Sequence, residues 1–270
     1  MLALGAAAAL LLGACAKSTP SGGGGGSSSS PTAVQLNTLT PGTLLVGSCL
    51  AYKPFEYYQG GQLVGFDVEI MAAIADKLGL KLEWKKADFS TIFTALAAHS
   101  FDAVAAASTI KPDRLQVVDF SDPYYTIQQG LLVKKGTPIE SAHTIADLKP
   151  YRFGAQTGTT GLDFIKNTIK PAKISQYNDT ITAGQALSNG QIDAVVIDVP
   201  IAIPMTTQFT NLEVIGQFLT NESYAMTFVK GNPLLACVNQ ALAAMKADST
   251  LKTITDKSFP GTTADIPVFK

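Results

Sequence analysis

The chain has 270 residues, 46% of them hydrophobic and only 15% charged, with a formal net charge of −1. That balance argues against a nucleic-acid partner, which calls for a basic face. No apolar run reaches the roughly 18–20 residues that cross a bilayer. What remains behind the N-terminal leader is long enough to bury one large core or two moderate ones.

The leader comes first. Leu2 to Ala14 is almost entirely Leu, Ala and Gly, the length of a signal-peptide apolar region, although no Lys or Arg precedes it. It ends Leu12-Gly13-Ala14-Cys15, small residues directly before a cysteine. This resembles the lipobox of bacterial lipoproteins, in which the thiol carries the lipid. Residues 1–14 are therefore expected to be a signal peptide, and Cys15 the lipidation site. Ala16 to Pro31 reads AKSTPSGGGGGSSSSP, which has no means of burying apolar area. Residues 15–40 are expected to be a flexible, lipid-anchored linker with a coil reach of roughly 25–30 Å. Two acyl chains would make such an anchor stable. In an exported protein the two remaining cysteines, Cys49 and Cys237, can form a disulfide or stay as buried thiols. His99 and His143 stand alone, outside any HxxxH or CxxC spacing, so no metal site is expected.

From Leu44 the chain alternates strand-like and helix-like segments. Leu44-Leu45-Val46 reads as a short buried strand. Phe66 to Leu78 places Ile70, Ile74 and Leu78 on one helical face, with Gly79 positioned to cap it. Leu80, Leu82 and Trp84 alternate with Lys81, Glu83 and Lys85 as a half-buried strand. Ser90 is placed to N-cap a helix carrying Ile92, Phe93 and Leu96, and Phe101 to Val104 begins another strand. A second series follows: a strand near Tyr151, a helix from about Thr160, a strand around Ile174, a helix around Ala183 and a strand at Ile192. The two series share a pattern. Ala95-Leu96 and Asp102-Ala103-Val104 are echoed, at identical spacing, by Ala186-Leu187 and Asp193-Ala194-Val195. Such alternation implies parallel sheets covered by helices, here as two lobes of similar build. Gln128–Lys135 and Tyr224–Lys230 read as two crossings between them, which is hinge architecture. Asn232 to Ala247 reads as a helix returning to the first lobe. The expected division is lobe 1 over 41–128, lobe 2 over 129–226, and a return to lobe 1 over 227–270.

Several words then stand out in order: Tyr52-Lys53-Pro54-Phe55-Glu56, Leu63-Val64-Gly65-Phe66-Asp67-Val68-Glu69, Thr109-Ile110-Lys111-Pro112-Asp113-Arg114 and Val118-Asp119-Phe120-Ser121-Asp122-Pro123-Tyr124-Tyr125. Gly158-Thr159-Thr160-Gly161, Ile192 to Asp198 and Lys230-Gly231-Asn232-Pro233 follow. From Leu44 to Phe259 the chain resembles the extracellular solute-binding proteins of polar amino-acid ABC transporters. The resemblance implies a type II periplasmic-binding-protein-like α/β fold whose two lobes close on a ligand. It implies no cofactor and no catalysis.

A free amino acid is a zwitterion, and a closing cleft strips water from both charges, so each needs a fixed partner. By resemblance Arg114 is the carboxylate clamp, its planar fork suited to bidentate pairing, with Ser108 and Thr109 beside it. A surface arginine paired with Asp113 or Asp119 is the plainer alternative. Asp198 stands at the carboxyl end of an apolar strand, where ligands of open α/β sheets bind. The resemblance gives it the ammonium; a helix cap before Pro200 is the other reading. The turn at Thr159 and Thr160 offers backbone N–H donors for the carboxylate from the second lobe, and no Lys follows to make a P-loop. Tyr52 and Phe89 would wall the side-chain slot, with Gln156 reaching in. Basic-amino-acid binders of the family often carry an aspartate just before the Tyr-x-Pro-Phe-Glu loop, where this chain reads Ser48-Cys49-Leu50. A neutral polar amino acid is therefore the expected ligand. The family's C-terminal aromatic pair is reduced to Phe259, and a tail through Ile266 to Lys270 is added.

The expected protein is a lipid-tethered monomer outside the cytoplasmic membrane that delivers its ligand to a permease–ATPase complex. The rival readings are a cyclohexadienyl-dehydratase-like enzyme, with Glu56 and Asp198 as its available acids, and a binder of a non-proteinogenic carboxylate such as ectoine.

Overall fold

A computed structural model describes residues 36–260 and 266–269. The leader and Cys15 lie outside the described residues. The chain enters through β1 (Thr43–Ser48) and forms a small hairpin, β2 (Tyr57–Gln59) and β3 (Gln62–Val64), before α1 (Phe66–Leu78). The spacing of Phe66, Ile70, Ile74 and Leu78 buries one face of α1, and Gly79 ends it in the left-handed conformation (φ 65°). β4 (Lys81–Lys86) is an edge strand with only alternate residues half-buried, as its Leu/Lys alternation requires. Ser90 does not cap the next helix. It lies inside a 3₁₀ turn, Phe89–Thr91, that leads into α2 (Ile92–Ala97). β5 (Ala103–Val104), α3 (Pro112–Leu115) and β6 (Val118–Phe120) complete the first pass.

β7 (Tyr125–Lys134) carries the chain into the second lobe. There β8 (Arg152–Gln156), α4 (Thr160–Phe164), β9 (Lys173–Tyr177), α5 (Thr180–Ser188), β10 (Ala194–Asp198) and α6 (Val199–Gln208) follow in turn. The long β11 (Leu212–Tyr224) returns the chain, and β12 (Thr227–Val229), α7 (Leu234–Ala247) and α8 (Thr250–Ser258) finish lobe 1.

The sheet orders are β4-β1-β5-β12-β6 and β11-β7-β10-β8-β9. The βαβ strands pair in parallel, β1 with β4 and β5, and β8 with β9 and β10. The crossing strands break that rule. β7 runs antiparallel to β10 and β11, and β12 runs antiparallel to β5 and β6, because they enter or leave through the hinge. The second crossing falls earlier than Tyr224–Lys230. Tyr224 already bridges to Thr109 of lobe 1, and the β11–β7 register breaks between Phe218 and Glu222.

The sequence echo has a structural counterpart. Asp102 accepts from the Leu45 amide (2.8 Å) at the start of the neighbouring strand β1, and its own amide donates to Leu45 O (2.8 Å). Asp193 does the same in lobe 2, accepting from the Arg152 amide (2.7 Å) of β8 and donating to Arg152 O (2.8 Å). Each aspartate ties a helix-to-strand turn to the adjacent parallel strand. Below the hinge, Phe55, Phe66, Tyr125, Tyr224 and Phe259 form an aromatic cluster with centroids 4.6–6.4 Å apart. Burying each such ring contributes about 1.5–3 kcal/mol, so this cluster anchors the Tyr52–Glu56 loop to the roots of both crossing strands.

Candidate ligand-binding site

Between the lobes lies a narrow cleft lined by Cys49, Tyr52, Phe89, Thr109, Arg114, Gln156, Thr159, Thr160 and Asp198, with Ala106 and Ala107. Among the residues expected to form a site, Ser108 alone is not part of this lining. The left-handed Ala107 (φ 45°) turns the chain so that Ser108 is fully buried, its hydroxyl directed to Ala106 O and its carbonyl accepting from the Ala225 amide (3.1 Å).

Arg114 is 5% exposed, although α3 is only a turn long. Its Nη1 donates to Thr109 O (2.8 Å) and its Nη2 to Gly158 O (3.0 Å), while the guanidinium stacks over Phe93 (4.6 Å) and Phe89 (5.3 Å). Asp113 and Asp119 do not hold it. Asp113 pairs with Lys111 (2.9 Å), and Asp119 with Lys230 (3.3 Å) and the Gly231 amide (2.7 Å). Burial lowers the guanidinium pKa from its usual value, and nearby Asp113, Asp163, Asp198 and Glu222 oppose that shift. The group stays charged. A guanidinium has five N–H donors, so the carbonyls leave others for an anion in the cleft.

Asp198 ends β10 and precedes α6, yet its side chain makes no cap bond. The carboxylate turns into the cleft instead. Oδ2 accepts from Tyr52 Oη (2.8 Å) and from Tyr224 Oη, and Oδ1 accepts from Gln129 Nε2 (2.5 Å). Burial, reinforced by the charge of Glu222, pushes its pKa up to about 6, with the three hydrogen bonds opposing. Glu222 itself accepts from Thr109 Oγ1 (2.9 Å) and Gln129 Nε2 (3.1 Å), and Thr160 Oγ1 lies 3.1 Å from the same Gln129 Nε2, whose two hydrogens are shared among these acceptors. A polar chain thus runs through both crossing strands, from Thr109 in lobe 1 to Asp198 in lobe 2. Gln129, Glu222 and Phe93 escape sequence reading. Gln129 and Glu222 are single polar residues on separate strands, and Phe93 reads as a core position of α2.

Thr159 caps α4, accepting from the Leu162 amide (3.2 Å) and donating to Gln156 O (2.8 Å). Its side chain is thus spent on capping, while the first amides of the helix have no intrahelical acceptor by construction. Gln156 gives its amide nitrogen to Asn178 O (3.0 Å), which leaves its carbonyl oxygen available to the cleft.

Cys49 is a half-buried free thiol, so the Cys49–Cys237 disulfide does not form; Cys237 is fully buried in the core of lobe 1, on α7. Burial first, and then the carboxyl charges of Glu56 and Asp88, push the Cys49 thiol far above its usual range. It is neutral at any physiological pH. Glu56, one of the two acids available to an enzyme reading, is fully buried and absent from the cleft lining. Burial and the neighbouring Asp67 raise its pKa well above the carboxylate range.

The lobes are closed upon each other. Tyr52 reaches Asp198, Arg114 reaches Gly158 O, and Lys111 pairs with Asp163 of α4 (2.7 Å). Two α/β lobes, two crossing strands and a charged cleft shut between them define a protein that captures a small solute by closing around it.

Residues 44–261 match the family described as bacterial extracellular solute-binding proteins, family 3, and the chain belongs to it. It is 33% identical over 222 residues to the L-cystine-binding protein TcyJ of Escherichia coli (strain K12), covering 81% of this chain and 83% of that protein. It is 33% identical over 224 residues to the arginine-binding extracellular protein ArtP of Bacillus subtilis (strain 168), covering 81% and 86%. Among solved structures, an ancestral arginine-binding protein bound to arginine superposes with a TM-score of 0.76 at 37% identity, covering 81% of this chain and 98% of that one. Among the described residues no helix is long and apolar enough to cross a membrane.

Proposed function

We propose that the protein binds a single α-amino acid with an uncharged polar side chain, outside the cytoplasmic membrane, and passes it unchanged to an ABC permease–ATPase complex. The observation that carries this reading is the placement of Arg114 and Asp198, both buried, on opposite lobes and facing one cleft. Their charges match a zwitterion, and holding one end from each lobe makes the ligand favour the closed state. Tyr52, Phe89, Thr109, Gln156, Thr159 and Thr160 complete the site. In this reading residues 1–14 are a signal peptide and 15–40 a tether lipidated at Cys15. Lobe 1 is then 41–128 with 224–260 and lobe 2 is 129–223, while the tail Ile266–Phe269, expected on lobe 1, pairs instead with β11 of lobe 2. Glu56 lies outside the cleft and Asp198 is engaged by three donors, which leaves a dehydratase without a free general acid.

A thermal-shift screen of residues 32–270 against the twenty amino acids, ectoine, opines and prephenate tests the class. A ligand that binds only the folded state raises the melting temperature by mass action. A response to one or a few amino acids, weakened in Arg114→Ala by about 2–5 kcal/mol, is expected. A response confined to another carboxylate, or turnover of prephenate, would overturn the reading.

The relatives named for arginine make cationic amino acids the competing class, and Cys49 argues against them. It is a neutral thiol in the cleft wall, and Asp198 is the only carboxylate among the lining residues. In Cys49→Asp a new buried carboxylate would be stabilised by a cationic side chain and by little else. Lysine or arginine binding should then rise at least roughly tenfold relative to neutral ligands, about 1.4 kcal/mol. Tight arginine binding by the unaltered protein would sink the neutral assignment.

A further inference from the structure

α8 ends at Ser258 on lobe 1, and Phe259 is seated there: its ring stacks on Tyr125 (4.6 Å) and lies 5.0 Å from Phe66 and 5.5 Å from Phe55. Ten residues later the chain is on the other lobe. The Gln217 amide donates to Pro267 O (2.7 Å), the Phe269 amide donates to Gln217 O (2.9 Å), and Gln217 Nε2 donates to Ile266 O (3.0 Å). Val268 thereby pairs in parallel with Gln217 on β11, the edge strand of the second sheet. A free sheet edge is a row of unmet donors and acceptors, and the tail meets part of it.

The docking is specific. Phe269 is 8% exposed and packs on Phe218 (5.3 Å) within the core of lobe 2. The space for its ring exists because residue 216 is glycine; a Cβ there would stand 2.1 Å from the ring.

The two anchorages flank the bend. On β11, Gln217 pairs with Gly130 and Phe218 with Gln129, while Tyr224 pairs with Tyr125, the partner of Phe259. Between them the ladder is broken, from Phe218 to Glu222, and Asn221 is left-handed (φ 49°). The chain after α8 therefore makes a third covalent crossing between the lobes, alongside β7 and β11. Seven Cα–Cα steps separate Phe259 from Ile266, a fully extended reach of about 25 Å at most.

We propose that Ile266–Phe269 is an interlobe strap, which limits how far the ligand-free lobes swing apart and stiffens the bend in β11. Lobe motion here is not set by two hinge strands alone. The proposal concerns the ligand-free protein and does not depend on which solute is bound, so it can fail while the amino-acid reading stands, and the reverse.

Three proteins test it without ligand: the unaltered chain, a chain ending at Pro260, and a chain with twelve Gly/Ser residues inserted between Thr262 and Thr263. The insertion leaves every described contact of the tail available and only lengthens the span. The measurements are radius of gyration by small-angle X-ray scattering and amide hydrogen exchange. The strap predicts a larger radius of gyration in both variants, and exchange at residues 219–222 faster by about tenfold or more. In the insertion the Gln217 and Phe269 amides should remain as protected as in the unaltered chain. If the insertion behaves like the unaltered protein and only truncation has an effect, the tail merely caps an edge and the strap is wrong. If neither variant opens further, it is wrong as well. Should the truncated chain fail to fold, the insertion alone decides.

Discussion

Asp198 is a carboxylate held by three donors whose pKa nevertheless rises to about 6, because burial outweighs hydrogen bonding when a second carboxylate, Glu222, lies close by. A folded-state pKa raised above the unfolded value contributes stability below the unfolded value and loses it as pH rises through the folded one. Asp198 should thus weaken the ligand-free protein by up to about 3 kcal/mol between pH 4 and 6. A ligand ammonium reverses the preference by favouring the ionised form. Affinity is expected to fall by up to about tenfold per pH unit below 6, and Asp198→Asn, already weakened, should lose that dependence. Calorimetry at pH 5, 6 and 7 measures both; a pH-independent Kd in the unaltered protein would refute the ammonium role. At this scale the sequence exposed Arg114 and Asp198 because each sits in a recognisable local word. Glu222 and Gln129 were hidden because what matters about them is a contact between strands 93 positions apart in sequence.

Among the elements, the turn into α4 is the most tightly constrained. Gly161 packs so closely that a Cβ would lie 2.6 Å from Val196 O and 3.1 Å from Gln129 Oε1. Backbone on β10 cannot yield as a side chain can. Gly161→Ala should therefore cost about 1–3 kcal/mol of stability and also weaken ligand binding, because the displaced neighbours, Gln129 and the strand carrying Asp198, form the ammonium end of the cleft. Urea unfolding and a binding titration on the same variant check it; full affinity with lowered stability would separate the turn from the site. Helix α1 was legible to the residue, since periodicity and a C-terminal glycine agree. The cap at Ser90 was misplaced because Phe89 starts a 3₁₀ turn one residue earlier, drawn in to meet Phe93 edge to face (5.7 Å) and to lie under Arg114. The parallel pairing of the βαβ strands followed from their alternation with helices. The antiparallel crossings did not, because strand direction at a hinge depends on which lobe the chain is leaving.

For the molecule as a whole, two lobes were readable from an internal echo, and the echo proves to be a shared device: Asp102 and Asp193 each fasten a turn to the neighbouring strand. The tail was readable only as an addition, since nothing in Ile266–Phe269 announces an acceptor edge on β11. The strand order in the first sheet sets a timetable for folding as the chain emerges from its N-terminus. Every strand of the second sheet lies within Tyr125–Tyr224 and is available once that stretch has emerged. The first sheet has to wait, because β12, which sits between β5 and β6, is the last strand made. Until Val229 emerges, a nascent chain holds one lobe whose strands are complete beside another split into β4-β1-β5 and a detached β6. The clamp formed by Arg114, on the helix just before β6, can be set in place only once β12 has joined β6 to the sheet.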